Sequence, residues 1–184
     1  MELYKPIRIR MTLFIVLVAM FTALTTVATL VLQVPFPGTG GYFNLGDAFV
    51  MISGFLLGPV GGFIAGGVGS ALADAFGGWF GFVPVTFVAK GLEGLMVGLF
   101  SHRTKSDKIL SVWDILGLLL GSIAMLSGYY FLEILYLQIV PEQAFIEMIT
   151  INLVQVVVGS ITTIIVGPIV RRYLRTTVYQ EGLA

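Results

Sequence analysis

The sequence predicts an all-α integral membrane protein with six transmembrane helices and both termini cytoplasmic. Three observations carry that expectation: the composition, the spacing of apolar segments, and the placement of the basic residues. Of 184 residues, 57% are hydrophobic and 11% charged, whereas the charged fraction of a soluble domain is about 25%. A helix needs roughly 20 residues to cross the hydrocarbon, so the chain accommodates about seven crossings at most and no separate soluble domain. Residues 1–184 are expected to form a single membrane-embedded domain. A formal charge of zero offers no basic surface to nucleic acid. The absence of cysteine excludes disulfides, iron–sulfur clusters and thiol nucleophiles.

The first apolar run, Met11 to Val34, follows Lys5, Arg8 and Arg10. It is too long for the core of a signal peptide, and no small-residue cleavage site follows it. Predicted helix 1 therefore runs from Thr12 to Gln33. Predicted helices 2 (Leu45 to Leu57) and 3 (Gly61 to Phe76) are each shorter than a full crossing. Gly58-Pro59 between them marks either a tight turn or a break in one irregular segment, which leaves a five-helix or re-entrant layout open. Predicted helix 4 runs from Pro84 to Phe100, helix 5 from Trp113 to Gln138 and helix 6 from Glu142 to Val170.

Nine of the ten basic residues fall in three clusters: Lys5, Arg8 and Arg10; Arg103, Lys105 and Lys108; Arg171, Arg172 and Arg175. The positive-inside rule places all three in the cytoplasm, which requires an even number of crossings between them. Four crossings before Arg103 and two after it meet that condition. The loops left outside, around Pro35 to Asn44, Gly77 to Val83 and Ile139 to Pro141, carry no lysine or arginine. Seventeen of the 23 glycines lie between Gly38 and Gly98. There Gly62, Gly66 and Gly69 form a smooth strip that lets helix backbones approach closely. No sequence repeat supports an inverted-repeat transporter.

The tenth basic residue, Lys90, sits inside predicted helix 4. An ammonium at membrane depth is costly unless paired or hydrated. Glu93, at i+3, is its nearest partner in sequence, so Lys90 either forms a structural pair, snorkels outward, or faces a water-accessible binding cavity. Tyr129, Glu133 and Tyr136 form one face of predicted helix 5, and Asn152, Gln155 and Gly159 one face of helix 6. Counted inward from the outer ends at about 1.5 Å per residue, Lys90, Glu133 and Asn152 reach comparable depths, which suggests a polar pocket in the outer half. Interhelical hydrogen bonding is the competing role for Asn152 and Gln155. Asn44 or Asp47 is placed to cap predicted helix 2. Tyr42 and Phe43 are placed to cover a ligand, and Trp79, Phe80 and Phe82 either to complete that lid or to form an interfacial aromatic belt. His102, the only histidine, lies in the predicted cytoplasmic loop, so a catalytic triad or metal cluster has nothing to use.

Taken together, the small six-helix design, the glycine-rich amino half, Phe43-Asn-Leu-Gly-Asp47, Phe87-Val-Ala-Lys-Gly-Leu-Glu-Gly94, and Ala19-Met-Phe-Thr-Ala23 in helix 1 resemble the S components of energy-coupling factor (ECF) transporters. The resemblance implies a multi-pass protein of a prokaryotic plasma membrane. Such a protein captures a small water-soluble vitamin and passes it inward with a T component and two ATP-binding subunits. It implies no enzyme activity and no cofactor in this chain, which also lacks a phosphate loop. By the same resemblance, Ala19 and Ala23 face the T component, while Asn44, Trp79, Lys90, Glu133, Tyr136 and Asn152 surround the substrate. Metal-importing relatives use an amino-terminal histidine, absent from Met1 to Arg10, so an organic ligand is expected: pyridoxine or a hydroxymethylpyrimidine first, riboflavin next. Two other classes stay open, a stand-alone secondary transporter or ion channel using a Lys90, Glu93 and Glu133 relay, and a non-transporting membrane interaction subunit.

Overall fold

The computed structural model describes residues 11–35, 41–104 and 110–174. Lys5, Arg8, Arg10, Lys105, Lys108 and Arg175 of the basic clusters, and residues 36–40 of the first loop, lie outside the described residues. The fold is helical: α1 (Met11–Val31), α2 (Gly46–Gly77), α3 (Val83–Ser101), α4 (Val112–Leu135), α5 (Pro141–Glu147) and α6 (Leu153–Tyr173). A single turn of π-helix, Met148–Asn152, joins α5 to α6. One short antiparallel pair, β1 (Val34–Pro35) and β2 (Tyr42–Phe43), precedes α2. Where the sequence suggested six separate helices, five helical stretches among the described residues are long and apolar enough to cross a membrane, because the two predicted around Gly58 merge in α2; α5, the π turn and α6 together form the expected sixth.

α2 is not a straight rod. Gly58, at φ 77 and ψ −169, interrupts it just before Pro59, where a residue with a Cβ is strained and the proline removes an N–H donor. A Cβ built on Gly62 lies 2.7 Å from Gly54 Cα, and one on Gly66 lies 2.7 Å from Val50 Cγ1. A continuous helix would hold residues eight apart about 12 Å from each other. The chain therefore doubles back at Gly58 into two arms, residues 46–57 and 59–77. Glycine is what allows the arms to touch, and the backbone of α3 enters the same seam: Gly94 O lies 2.5 Å from a Cβ placed on Gly54. With lipid all around, such close van der Waals contact is the main force holding helices together.

α1 packs on α2 through Val18, Phe21, Thr25, Thr26 and Thr29. Its threonines remain compatible with a bilayer by bonding to backbone: Thr22 and Thr26 donate to the carbonyls four residues earlier, and Thr26 also donates to Gly69 O at 2.8 Å. The opposite face, including Ile15, Ala19, Met20, Ala23 and Val27, is exposed. Met51, Phe55, Val85, Ala89, Val97, Leu118, Met125, Tyr129 and Val156 build the shared core of α2, α3, α4 and α6. α4 starts at a capping box in which Ser111 and Asp114 satisfy each other's backbone donors. It stops at Leu135, before the expected Gln138, which has φ 57 and cannot continue the helix.

The bundle has two distinct ends. At one, Gly58 lies near His102, and Arg171 spans Asp114 with two bonds of 2.8 and 3.0 Å, donates to Phe55 O at 3.0 Å and covers the Phe55 ring. Arg171 is thus a buried clasp between α2, α4 and α6 as well as a member of a basic cluster. At the other end lie the β pair, the turn between α2 and α3, and the α4–α5 connection.

Candidate functional site

The second end contains a polar cavity between α1, α2, α3, α4 and the π turn, roofed by β2. Lys90 projects into it from α3 and forms an ion pair with Asp47, in the first turn of α2. Glu93 Oε2 is 3.8 Å from the same ammonium. All three are essentially excluded from solvent, with relative exposures of 2%, 1% and 0%. The expected neighbour Glu93 is therefore the more distant partner. Asp47 supplies the contact because the reversal of α2 brings its first turn against α3. Asp47 does not cap α2; Asn44 shapes the entry instead, accepting from Gly46 N at 2.8 Å.

Three ties bind the β pair to the helices. The Tyr42 hydroxyl donates to Asp74 Oδ1, and its ring lies 5.1 Å from that of Trp79. Burial first, and then the neighbouring Asp74 charge, raise the Tyr42 pKa, so this hydroxyl stays protonated as a donor. Trp79 Nε1 in turn donates to Gln33 Oε1 at 3.3 Å. Asn44 N donates to Gln155 Oε1 at 3.1 Å, and Gln155 Nε2 to Asn152 Oδ1 at 3.1 Å. Asn152 closes the π turn, a local widening of the helix that is frequent at functional sites.

Of the residues expected from sequence, Asn44, Lys90 and Asn152 line the cavity together. Trp79 stands behind Tyr42 and braces it. Glu133 is fully buried one layer back, against Glu147, which does line the cavity. Tyr136 lies beyond the last turn of α4, is 59% exposed and is not part of the lining. Sequence reasoning left Thr29, Tyr42, Ser70, Asp74, Thr86 and Glu147 out of the chosen site, although all six line it. The threonines and Ser70 are isolated hydroxyls in apolar runs and give no periodic signal. Tyr42 belongs to the expected lid, but its bond to Asp74 depends on the arms of α2 returning to the same end.

Several cavity atoms are buried without a hydrogen-bond partner: Thr29 Oγ1, Ser70 Oγ, Asp74 Oδ2 and Asn152 Nδ2. Unmet donors and acceptors of this kind cost stability, and they are groups that a polar ligand can satisfy. Aromatic surface stands beside them, from Tyr42, Phe82 and Tyr129, the last donating to Thr86 Oγ1 at 2.9 Å. The open space is only about 20 Å³, room for about one water. No group of three or more metal-ligating side chains occurs among the described residues.

Comparison with known proteins agrees with this architecture. Residues 10–176 match the family model described as "ECF-type riboflavin transporter, S component". An "Uncharacterized protein in gap 3'region" of Pyrococcus woesei is 40% identical over 139 residues, covering 74% of this chain and 86% of the relative. The family is one of transporter substrate-binding subunits rather than enzymes, and its members are multi-pass cell membrane proteins. With the match running through every described helix, this chain belongs to the ECF-type riboflavin transporter S component family.

Proposed function

We propose that this chain captures riboflavin outside the cell and delivers it inward as part of an ATP-driven ECF importer. The observation that carries the proposal is the buried cavity in which aromatic side chains stand beside unpartnered hydroxyl, carboxylate and amide groups. A ligand with a flat heteroaromatic ring and a hydroxylated chain answers both surfaces. The description of the matching family favours riboflavin over pyridoxine or a hydroxymethylpyrimidine. Lys90 is already neutralised by Asp47, which removes the need for an anionic ligand.

The reversal at Gly58 supports six crossings. Counting the two arms of α2 separately returns the chain to the same side before α3, and keeps Gly58, His102 and Arg171 at the cytoplasmic end and the cavity at the outer end. α1 turns Ala19 and Ala23 outward, one helical turn apart. That small-residue face is the proposed contact with the T component, whose two ATP-binding partners supply hydrolysis. The test is mass spectrometry of the ligand retained by the mildly purified protein, followed by titration of the stripped protein with riboflavin. Recovery of a flavin and saturable binding are expected; retention of a different vitamin with no flavin binding would overturn the assignment.

A further inference from the structure

The connection between α3 and α4 lies at the end of the bundle opposite the cavity and holds a cation whose neighbours are aromatic. The Arg103 guanidinium lies over two rings, 5.1 Å from the centre of Phe100 and 5.4 Å from that of Trp113, and the rings themselves are 6.4 Å apart. The backbone fixes this stack from both sides. Arg103 N donates to Phe100 O at 3.0 Å in the turn that ends α3, and Trp113 N donates to the Ser111 side chain at 3.2 Å in the cap that starts α4. Gly117 lets the two helices approach, since a Cβ there would lie 2.9 Å from Val97 O and 3.1 Å from Phe100 Cβ. Arg103 is exposed and, among the described residues, enters no ion pair. Asp114, the carboxylate next to Trp113 in sequence, is already engaged by Arg171 and by Ser111 N.

Alongside the stack the surface is apolar. Met96, one turn before Phe100, and Leu116 and Leu120, at i+3 and i+7 from Trp113, are half-buried and continue the two aromatic positions along α3 and α4. Val112, Ile115 and Leu119 beside them are exposed. A cation on tryptophan at the ends of two membrane-crossing helices lies at headgroup level, where tryptophan is enriched and arginine reaches out of the hydrocarbon. A guanidinium can lie on an aromatic face and still offer two parallel N–H bonds to a phosphate. The occupant that answers both the cation and the apolar strip is a lipid with a negatively charged headgroup. A free phosphate makes no use of the strip, and a zwitterionic headgroup carries a cation of its own that opposes Arg103.

We propose that Arg103, Phe100 and Trp113 form a binding site for the phosphate of an anionic phospholipid in the leaflet at this end of the bundle, with an acyl chain along Met96, Leu116 and Leu120. The site is separate from the vitamin cavity and does not depend on which vitamin that cavity takes. Its occupant ties the α3–α4 connection to the membrane surface.

The full-length protein carrying Trp79→Phe, in which Trp113 is the one tryptophan left, is reconstituted into phosphatidylcholine vesicles. A fixed fraction of the lipid, brominated in its acyl chain, is either phosphatidylglycerol or phosphatidylcholine, and the quenching of Trp113 is compared. At about 1 M salt the Debye length is about 3 Å and diffuse attraction is screened. Under that condition brominated phosphatidylglycerol is expected to be preferred by at least about 3-fold. Arg103→Gln should bring the two lipids to near equality, and Arg103→Lys should lose most of the preference because an ammonium cannot make the forked, stacked contact. Arg172→Gln removes one charge from an exposed position at the same end and should leave the preference in place. Equal quenching by the two lipids in the Trp79→Phe protein overturns the proposal, as does a preference that survives Arg103→Gln. A preference lost equally in Arg172→Gln also overturns it, because the effect then belongs to a diffuse basic surface. If the Trp79→Phe protein fails to fold, native mass spectrometry of the protein with both tryptophans measures the phosphatidylglycerol retained in detergent. Lower retention by Arg103→Gln than by the parent supports the site, and equal retention overturns it. Loss of copurification with coupling subunits in Arg103→Gln, at unchanged lipid preference, would assign the stack to a protein partner and overturns it as well.

Discussion

Replacing Lys90 with methionine keeps most of the side-chain volume and removes the charge, leaving Asp47 at 1% and Glu93 at 0% exposure without their cation. Neither carboxylate has water to turn to. Breaking a buried ion pair from one side costs about 3–5 kcal/mol, because the remaining charge is uncompensated. At about 1.4 kcal/mol per factor of ten, the folded-to-unfolded ratio falls roughly a hundred- to several-thousand-fold. The scaling for chains of this size, about 2–4 °C per kcal/mol, converts that to a loss of about 6–20 °C in the unfolding midpoint. The double variant Lys90→Met/Asp47→Asn removes both members of the close pair and is expected to recover at least about half of the loss, since a neutral pair carries no orphaned charge. The assay is thermal unfolding in detergent followed by tryptophan fluorescence, with Asp47→Asn completing the cycle. A Lys90→Met protein within about 0.5 kcal/mol of the parent, or a double variant as unstable as the two single losses added together, would show that the Lys90–Asp47 contact does not hold α2 to α3.

At the opposite end, Asp114→Ala leaves the buried Arg171 guanidinium without its two-bond partner, and about 3–5 kcal/mol of destabilisation is expected in the same unfolding assay; Arg171→Lys, with Asp114 in place, should retain little of the interaction because a lysine cannot make the forked contact. Gly94→Ala places a methyl within 2.6 Å of the Gly62 carbonyl carbon, where backbone faces backbone, so loss of folded protein on size-exclusion chromatography is expected, whereas Gly78→Ala, with open space around it but φ at 83, should cost only about 1 kcal/mol. Changing Ala19 and Ala23 together to leucine adds bulk on an exposed face of α1 and should abolish copurification with the T component and ATP-dependent uptake while riboflavin binding by the isolated chain persists; retained assembly would place the partner contact elsewhere.

The sequence alone determined the membrane class and the order of the helices, because these follow from local quantities: the length of apolar runs, the positions of breakers and the distribution of charge. It marked Gly58-Pro59 as the point of ambiguity. It also singled out Asn44, Lys90 and Asn152, since an ionisable or amide group in an apolar segment is conspicuous wherever the helix packs. What the sequence could not determine was pairing between distant segments. Lys90 was matched with Glu93 because i+3 neighbours share a helix face, yet Asp47 makes the closer contact, 43 positions away. Tyr136 satisfied the helical phase of Tyr129 and Glu133 but lies past the end of α4, where phase no longer predicts burial. Thr29, Ser70 and Asp74 gain their meaning only when α2 reverses at Gly58 and glycine contacts let its second arm settle beside α1 and α3. Local chemistry decides what each segment of a membrane chain can be, whereas the close packing of the bundle decides which polar atoms are satisfied within the protein and which are not.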